Sequence, residues 1–195
     1  MKNILMTTAV ASLFLAGQAL AVSSTGVAGG TITFSGAVSD TTCNVTTNGG
    51  SDFTVNVAPI TYEDLGSSSG VVSAGSTPFT INVTGCSGFD ATSASAQALK
   101  VTFSGAGVSD DMRYLKNETG TAEGVGIAIT SDGVTPVNMN EAIATGLKTT
   151  QSANGAYDTA AAGDITFHAN YYNYGGAEAR TGSVMTTATY TFSYD

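Results

Sequence analysis

The single histidine, His168, follows Asp164 by four residues in a chain rich in serine, and a Ser-His-Asp hydrolase uses those three residue types. His168 and Asp164 share parity on one alternating run. No Gly-x-Ser-x-Gly turn presents a nucleophile, however, and alternation from Phe167 turns His168 away from the core-facing set, toward solvent. Two carboxylate pairs, Asp110-Asp111 and Glu63-Asp64, are of the type that serves acid/base work or binds calcium, but neither has calcium-loop spacing. They read as solvated turn acids. Gly124-Val125-Gly126 lacks the lysine and the following helix of a phosphate cradle. Asn44, Asn82 and Asn117 head Asn-x-Thr triplets, which arise by chance in a threonine-rich chain. Tyr171, Tyr172 and Tyr174 form a weak candidate for a sugar-stacking surface. The sequence assembles no enzyme and no cofactor or metal site.

The remaining chemistry belongs to Cys43 and Cys86. The chain opens with Lys2, an apolar run over residues 4–20 and the small-x-small triplet Ala19-Leu20-Ala21, the pattern of a secretory signal peptide over residues 1–21. An even cysteine count in an exported chain predicts a disulfide, Cys43 to Cys86, and two cysteines with one histidine are too few for a metal site. Beyond residue 21 there are five basic side chains (Lys100, Arg113, Lys116, Lys148, Arg180) against fifteen acidic ones, a net of −10. No basic tract occurs, which argues against nucleic acid and anionic membrane as partners. Only 11% of residues are charged, a composition that a disordered chain could share. The apolar residues nevertheless recur in alternating runs, so a folded domain is expected.

Those runs are short and separated by turn residues. The candidate strands are 31–38, 53–57, 79–83, 99–103, 126–129, 134–139, and 164–171 with Ile165, Phe167, Ala169 and Tyr171 on one face. Helical turns over 91–98 and 141–147 are weaker expectations, and residues 67–76 read as a loop. Many short strands with glycine-rich turns and no sustained helical period mean an antiparallel sandwich or barrel. The clearest run is 182–195. Its even positions are Gly182, Val184, Thr186, Ala188, Tyr190, Phe192 and Tyr194, and its odd positions are polar except Met185. A long strand with one apolar face must be paired and covered. At the other end, residues 22–30 form a small-residue leader ahead of the first body strand. A spare strand and an open groove suit strand addition between copies, which builds an open fibre.

The chain resembles the subunits of chaperone–usher pili, the type 1 fimbrial proteins of Gram-negative bacteria. The likeness rests on Gly30-Thr31-Ile32-Thr33-Phe34-Ser35-Gly36 before Cys43, and on Phe79-Thr80-Ile81-Asn82-Val83 before Cys86. It continues through Val101-Thr102-Phe103-Ser104-Gly105, Gly124-Val125-Gly126-Ile127 and Phe167-His168-Ala169-Asn170-Tyr171. Most specific are a glycine fourteenth from the end, Gly182, and a penultimate tyrosine, Tyr194.

The resemblance implies an all-β fold, an incomplete immunoglobulin-like β-sandwich lacking its last strand and completed by a donor strand from another subunit or a chaperone. It divides the chain into a signal peptide (1–21), a donor-strand extension (22–33) and a pilin domain (34–195). The donor would present Thr25, Val27, Gly29, Gly30 and Thr31, with the Val27 and Gly29 parity facing in. The acceptor groove and chaperone-binding strand would use Gly182, Val184, Ala188, Tyr190, Phe192 and Tyr194, with Ile165, Phe167, Ala169 and Tyr171, and Asp195 as the chaperone's anchor. Implied partners are neighbouring pilin subunits in a homopolymer, a periplasmic chaperone and an outer-membrane usher, on a route through the periplasm to a surface fimbria supporting adhesion. The alternatives are a minor adaptor subunit and, in another class, a stand-alone secreted carbohydrate-binding sandwich.

Overall fold

The computed structural model describes residues 39–47 and 50–195. The signal peptide, the donor extension and the 31–38 strand expected above lie outside the described residues. Among the described residues, two antiparallel sheets account for the strands. The larger orders β1 (Asn44–Val45), β3 (Thr77–Thr84), β8 (Gly163–Asn173), β6 (Val125–Thr130) and β5 (Leu115–Lys116), with β2 (Gly70–Val71) also on β8. The smaller orders β7 (Ile143–Lys148), β4 (Ala98–Ser104) and β9 (Thr189–Tyr194).

Alternation explains the core. In β4, Leu99, Val101 and Phe103 are buried while Lys100, Thr102 and Ser104 face outward, as a period of two requires. Ile81 and Val83 of β3, Ile165 and Phe167 of β8 and Phe192 of β9 join them in one core between the sheets. Phe103 meets Phe167 edge to face across it, with centroids 5.1 Å apart.

The Cys43–Cys86 disulfide is formed, tying the segment before β1 to the end of β3, with Cys86 buried. It closes a 43-residue separation, worth about 4 kcal/mol on the chain-entropy account. Cys43→Ser is therefore expected to lower stability by about 2–5 kcal/mol, read from denaturant midpoints of oxidised wild type and variant. Labelling of both thiols in the native protein would overturn it.

Several expectations need correction. Residues 141–147 are not helical, because Ile143–Lys148 is β7, paired with β4. The stretch 91–98 is turn and bend up to the start of β4 at Ala98, with Asp90 accepting from the Thr92 backbone and hydroxyl. The 134–139 run makes only a bridge from Pro136 to Thr130, since proline cannot donate to a ladder. Within 67–76 lies the short strand β2. Residues 53–57, expected as a strand, belong to no sheet among the described residues.

His168 is half-buried rather than solvent-facing, and its Nδ1 is buried without a hydrogen-bond partner among the described residues. Parity put it on the outer face correctly, but that face is covered. Asn170, fully buried there, donates through Nδ2 to the carbonyls of Val72 and Gly133 and accepts from the Thr130 hydroxyl. Asn173 holds the carbonyls of Gly66 and Gly176 in the same way. Two loops are thereby pinned over β8. Buried amides with their partners satisfied make such pinning specific.

Candidate functional site

Residues 182–195 split into two regimes. From Thr189 to Tyr194 the chain pairs with β4, in register Ser104↔Thr189 to Leu99↔Tyr194. β4 ends at Ser104, so residues 182–188 lose that partner and run beside the loop 117–122. Beyond β9, Asp195 exchanges both backbone bonds with Ala98, which places odd-numbered backbone groups on the β4 side. The same parity continues upstream. The Ser183 carbonyl accepts from the Ala122 N–H and the Met185 carbonyl from the Glu118 N–H.

Even-numbered backbone groups therefore face the other edge. Phe192 uses that edge, its carbonyl accepting from the Ser39 hydroxyl beside a bridge to Thr41. Among the described residues, the backbone groups of Gly182, Val184, Thr186, Ala188 and Tyr190 have no hydrogen-bond partner on it. That is an open strand edge.

A second extended segment faces it. Phe53, Val55 and Val57 are half-buried and their neighbours exposed, the pattern of a strand with one covered face. Among the described residues, no backbone group of 52–60 bonds to another backbone group, and Ala58 N–H is held by the Thr77 hydroxyl. The Tyr190 phenol donates to the Ser51 carbonyl at 2.6 Å, and the Phe53 ring lies 6.1 Å from that of Tyr190 and 6.0 Å from that of Phe79. At the far end, Pro59 and Ile60 share a cavity with Gly182 and Val184. Residue 51 thus sits by 190 and residue 60 by 182, so the two walls run antiparallel.

That cavity, about 120 Å³, is lined mainly by apolar side chains, with Leu65, Val125 and Tyr171 beneath Ile60 and Val184. A small satellite core of Leu65, Val72, Ala122, Val125 and Ala179 supports it. Leu65 is placed by the one-turn helix α1 (Tyr62–Leu65), whose Thr61 and Asp64 form a reciprocal capping box. Gly75, at φ +73°, lets the wall come close: a Cβ there would lie 2.6 Å from the Ile60 side chain and 2.8 Å from the Ala58 carbonyl.

The expected site residues fall unevenly. Val184, Tyr190, Phe192 and Tyr194 pack inward, whereas Ala188 is exposed. Ile165, Phe167 and Ala169 are buried in the body. β8 is paired on both edges, so it can give a groove only side chains, and of these Tyr171 lines the cavity. Tyr194 accepts from the Ala161 N–H at 3.0 Å, and Asp195 pairs with Lys100 at 2.5 Å. Burial raises the phenol pKa of Tyr171 and of Tyr194, and burial followed by the Asp52 charge raises that of Tyr190, so all three stay neutral at physiological pH. Thr25, Val27, Gly29, Gly30 and Thr31 lie outside the described residues.

Parity could not find the second wall's role, nor Ile60, Leu65 and Val125, which a strand, a helix and a loop bring together. The 53–57 alternation was the available signal. The groups with apparent chemistry do other work. Asp164 accepts from the Asn82 amide at 2.6 Å, Asp111 accepts from the Ser109 hydroxyl, and Tyr172 and Tyr174 stack on Tyr114 at 4.4 and 5.0 Å.

Comparison with known proteins agrees with this architecture. A family model described as "Fimbrial protein" matches residues 32–195. The major fimbrial subunit SMF-1 of Stenotrophomonas maltophilia (strain K279a) is 31% identical over 172 residues, covering 86% of this chain and 94% of that one. The F17 fimbrial protein of Escherichia coli is 33% identical over 168 residues, covering 85% and 87%. A subunit in the structure of a chaperone–usher pilus, described by the molecular basis of its rod uncoiling, superposes with a TM-score of 0.50. That match is 20% identical and covers 86% of this chain and 96% of that one, so it speaks to the fold. The chain belongs to the fimbrial protein family.

Proposed function

We propose that this fimbrial subunit enters a surface fibre by accepting an extended segment of a neighbouring copy between residues 51–60 and 182–190. One observation supports the reading: two antiparallel walls, whose facing edges form no backbone–backbone bonds among the described residues, lie over an apolar floor. A segment laid between such walls runs antiparallel to one and parallel to the other. Antiparallel to 182–190 is the better arrangement, because that wall's even-numbered N–H and carbonyl groups are already aligned for a ladder. Alternate side chains of the added segment then drop toward Tyr171, Val125 and Phe53.

The occupant is residues 22–33 of the next subunit, with Val27 and Gly29 facing in. Donor and acceptor are different surfaces, so addition does not close and a homopolymeric fibre grows. Before assembly an open apolar groove invites aggregation, so a periplasmic chaperone lends a strand and the outer-membrane usher exchanges it. Asp195, whose side-chain carboxylate pairs with Lys100, is the chaperone's anchor. The fibre so built supports adhesion as a scaffold.

Electron microscopy of cells with and without this chain tests the reading. Surface fibres are expected to disappear without it and return on complementation. Unchanged fibre number and length would overturn a shaft role.

A further inference from the structure

Among the described residues, no strand lies behind residues 182–188 of the groove wall, yet the segment is extended. All three odd-numbered amides there end on side-chain oxygens. Ser183 N–H donates to Thr121 Oγ1 at 3.0 Å, Met185 N–H to Asn117 Oδ1 at 2.8 Å, and Thr187 N–H to Glu118 Oε2 at 3.0 Å. Asn117 uses its amide nitrogen as well, donating to the carbonyls of Ala122 at 2.8 Å and Ser183 at 3.1 Å. Its Oδ1 also accepts from the Gly120 N–H at 3.0 Å, which folds the loop onto the wall. Glu118 accepts in addition from the Thr187 hydroxyl at 3.1 Å.

We infer that Asn117 and Glu118 are positioning residues for strand addition, acting as a side-chain clamp that replaces the missing ladder behind residues 183–187. This rests on the groove reading above. The physical reason is parity. Binding the odd-numbered groups from behind leaves the even-numbered ones aimed into the groove, so an arriving strand meets an edge already ordered. Without the clamp, ordering that segment becomes part of the cost of association. Asn117 thereby has a use unrelated to its Asn-x-Thr context, since both ends of its amide are occupied.

The test uses the purified full chain, and a labelled synthetic peptide of this chain's residues 22–38 as the probe. Association is followed by fluorescence anisotropy, and amide exchange is read residue by residue. Asn117→Ala is expected to slow association roughly tenfold. Exchange at Met185 and Thr187 should rise while Ser193, paired with Lys100 in β4, is unchanged. Asn117→Asp keeps Oδ1 and should recover part of the rate, whereas Glu118→Ala should free Thr187 alone. If Asn117→Ala does not fold, Asn117→Asp and Glu118→Ala are compared with wild type in the same way. Wild-type association rates in the variants would overturn the clamp, as would an exchange increase shared equally by Ser193, which marks general destabilisation. A wild-type chain that never captures the peptide would instead remove the groove reading on which the clamp depends.

Discussion

Deletion of residues 22–30 is expected to abolish fibre growth while leaving the subunit able to accept a strand. On the proposed assembly the deleted residues would supply the donor, while residues 51–60 and 182–190 of the same chain would accept one, so the lesion is expected to be one-sided. Each main-chain bond of the added strand contributes on the order of 1 kcal/mol net, and with apolar burial this makes the junction strong only when the donor is present. Mixed with wild type, the truncated chain should shorten fibres, because it occupies an end and offers nothing to the next copy. Fibre length by electron microscopy measures this. Capture of the 22–38 peptide by the truncated chain checks that its groove persists. Fibres of normal length built from the truncated chain alone would refute the donor assignment.

Gly182→Val is expected to cost about 3 kcal/mol of stability and most of the peptide capture. A Cβ at residue 182 would lie 2.4 Å from the Ala122 nitrogen and 2.5 Å from the Thr121 carbonyl carbon. Both are backbone atoms and cannot turn aside, so the wall itself must move. On the facing loop, a Cβ at Gly120 would meet the Ser183 carbonyl oxygen at 2.1 Å, so the approach is tight from both sides. Moving the wall breaks the Ala122-to-Ser183 bond and tilts the even-numbered edge away from the incoming strand. Denaturant midpoints and peptide affinity measure the two effects separately. Met185→Ser, at a position 61% exposed on the same segment, is the control and should change neither. Wild-type values for Gly182→Val would show that the close approach does not hold the wall.

Much of the body was legible because it depends on local alternation. Leu99, Val101 and Phe103, or Ile165, Phe167 and Ala169, declare their buried face two residues at a time, whatever lies opposite. The disulfide was legible from compartment and count. Where several elements share responsibility, local signals misled. Residues 141–147 carry apolar residues at a spacing tolerable to a helix, and the ladder with β4 decided for a strand. His168 was assigned to the correct face, but sequence cannot say that loops held by Asn170 and Asn173 come back to cover it.

Local patterning was enough to read the class of fold, the core-facing residues, the disulfide and the apolar parity of residues 182–194. Packing settles which edge of that stretch lacks backbone partners among the described residues. Side-chain parity says which face is apolar, but it does not say which neighbour takes the backbone groups. That depends on β4 ending at Ser104 and on the loop carrying Asn117 and Glu118 arriving behind. It depends equally on residues 51–60 lying opposite, where among the described residues no backbone group of 52–60 bonds to another backbone group. A groove is a relation between segments distant in the chain, and only packing brings its two walls together.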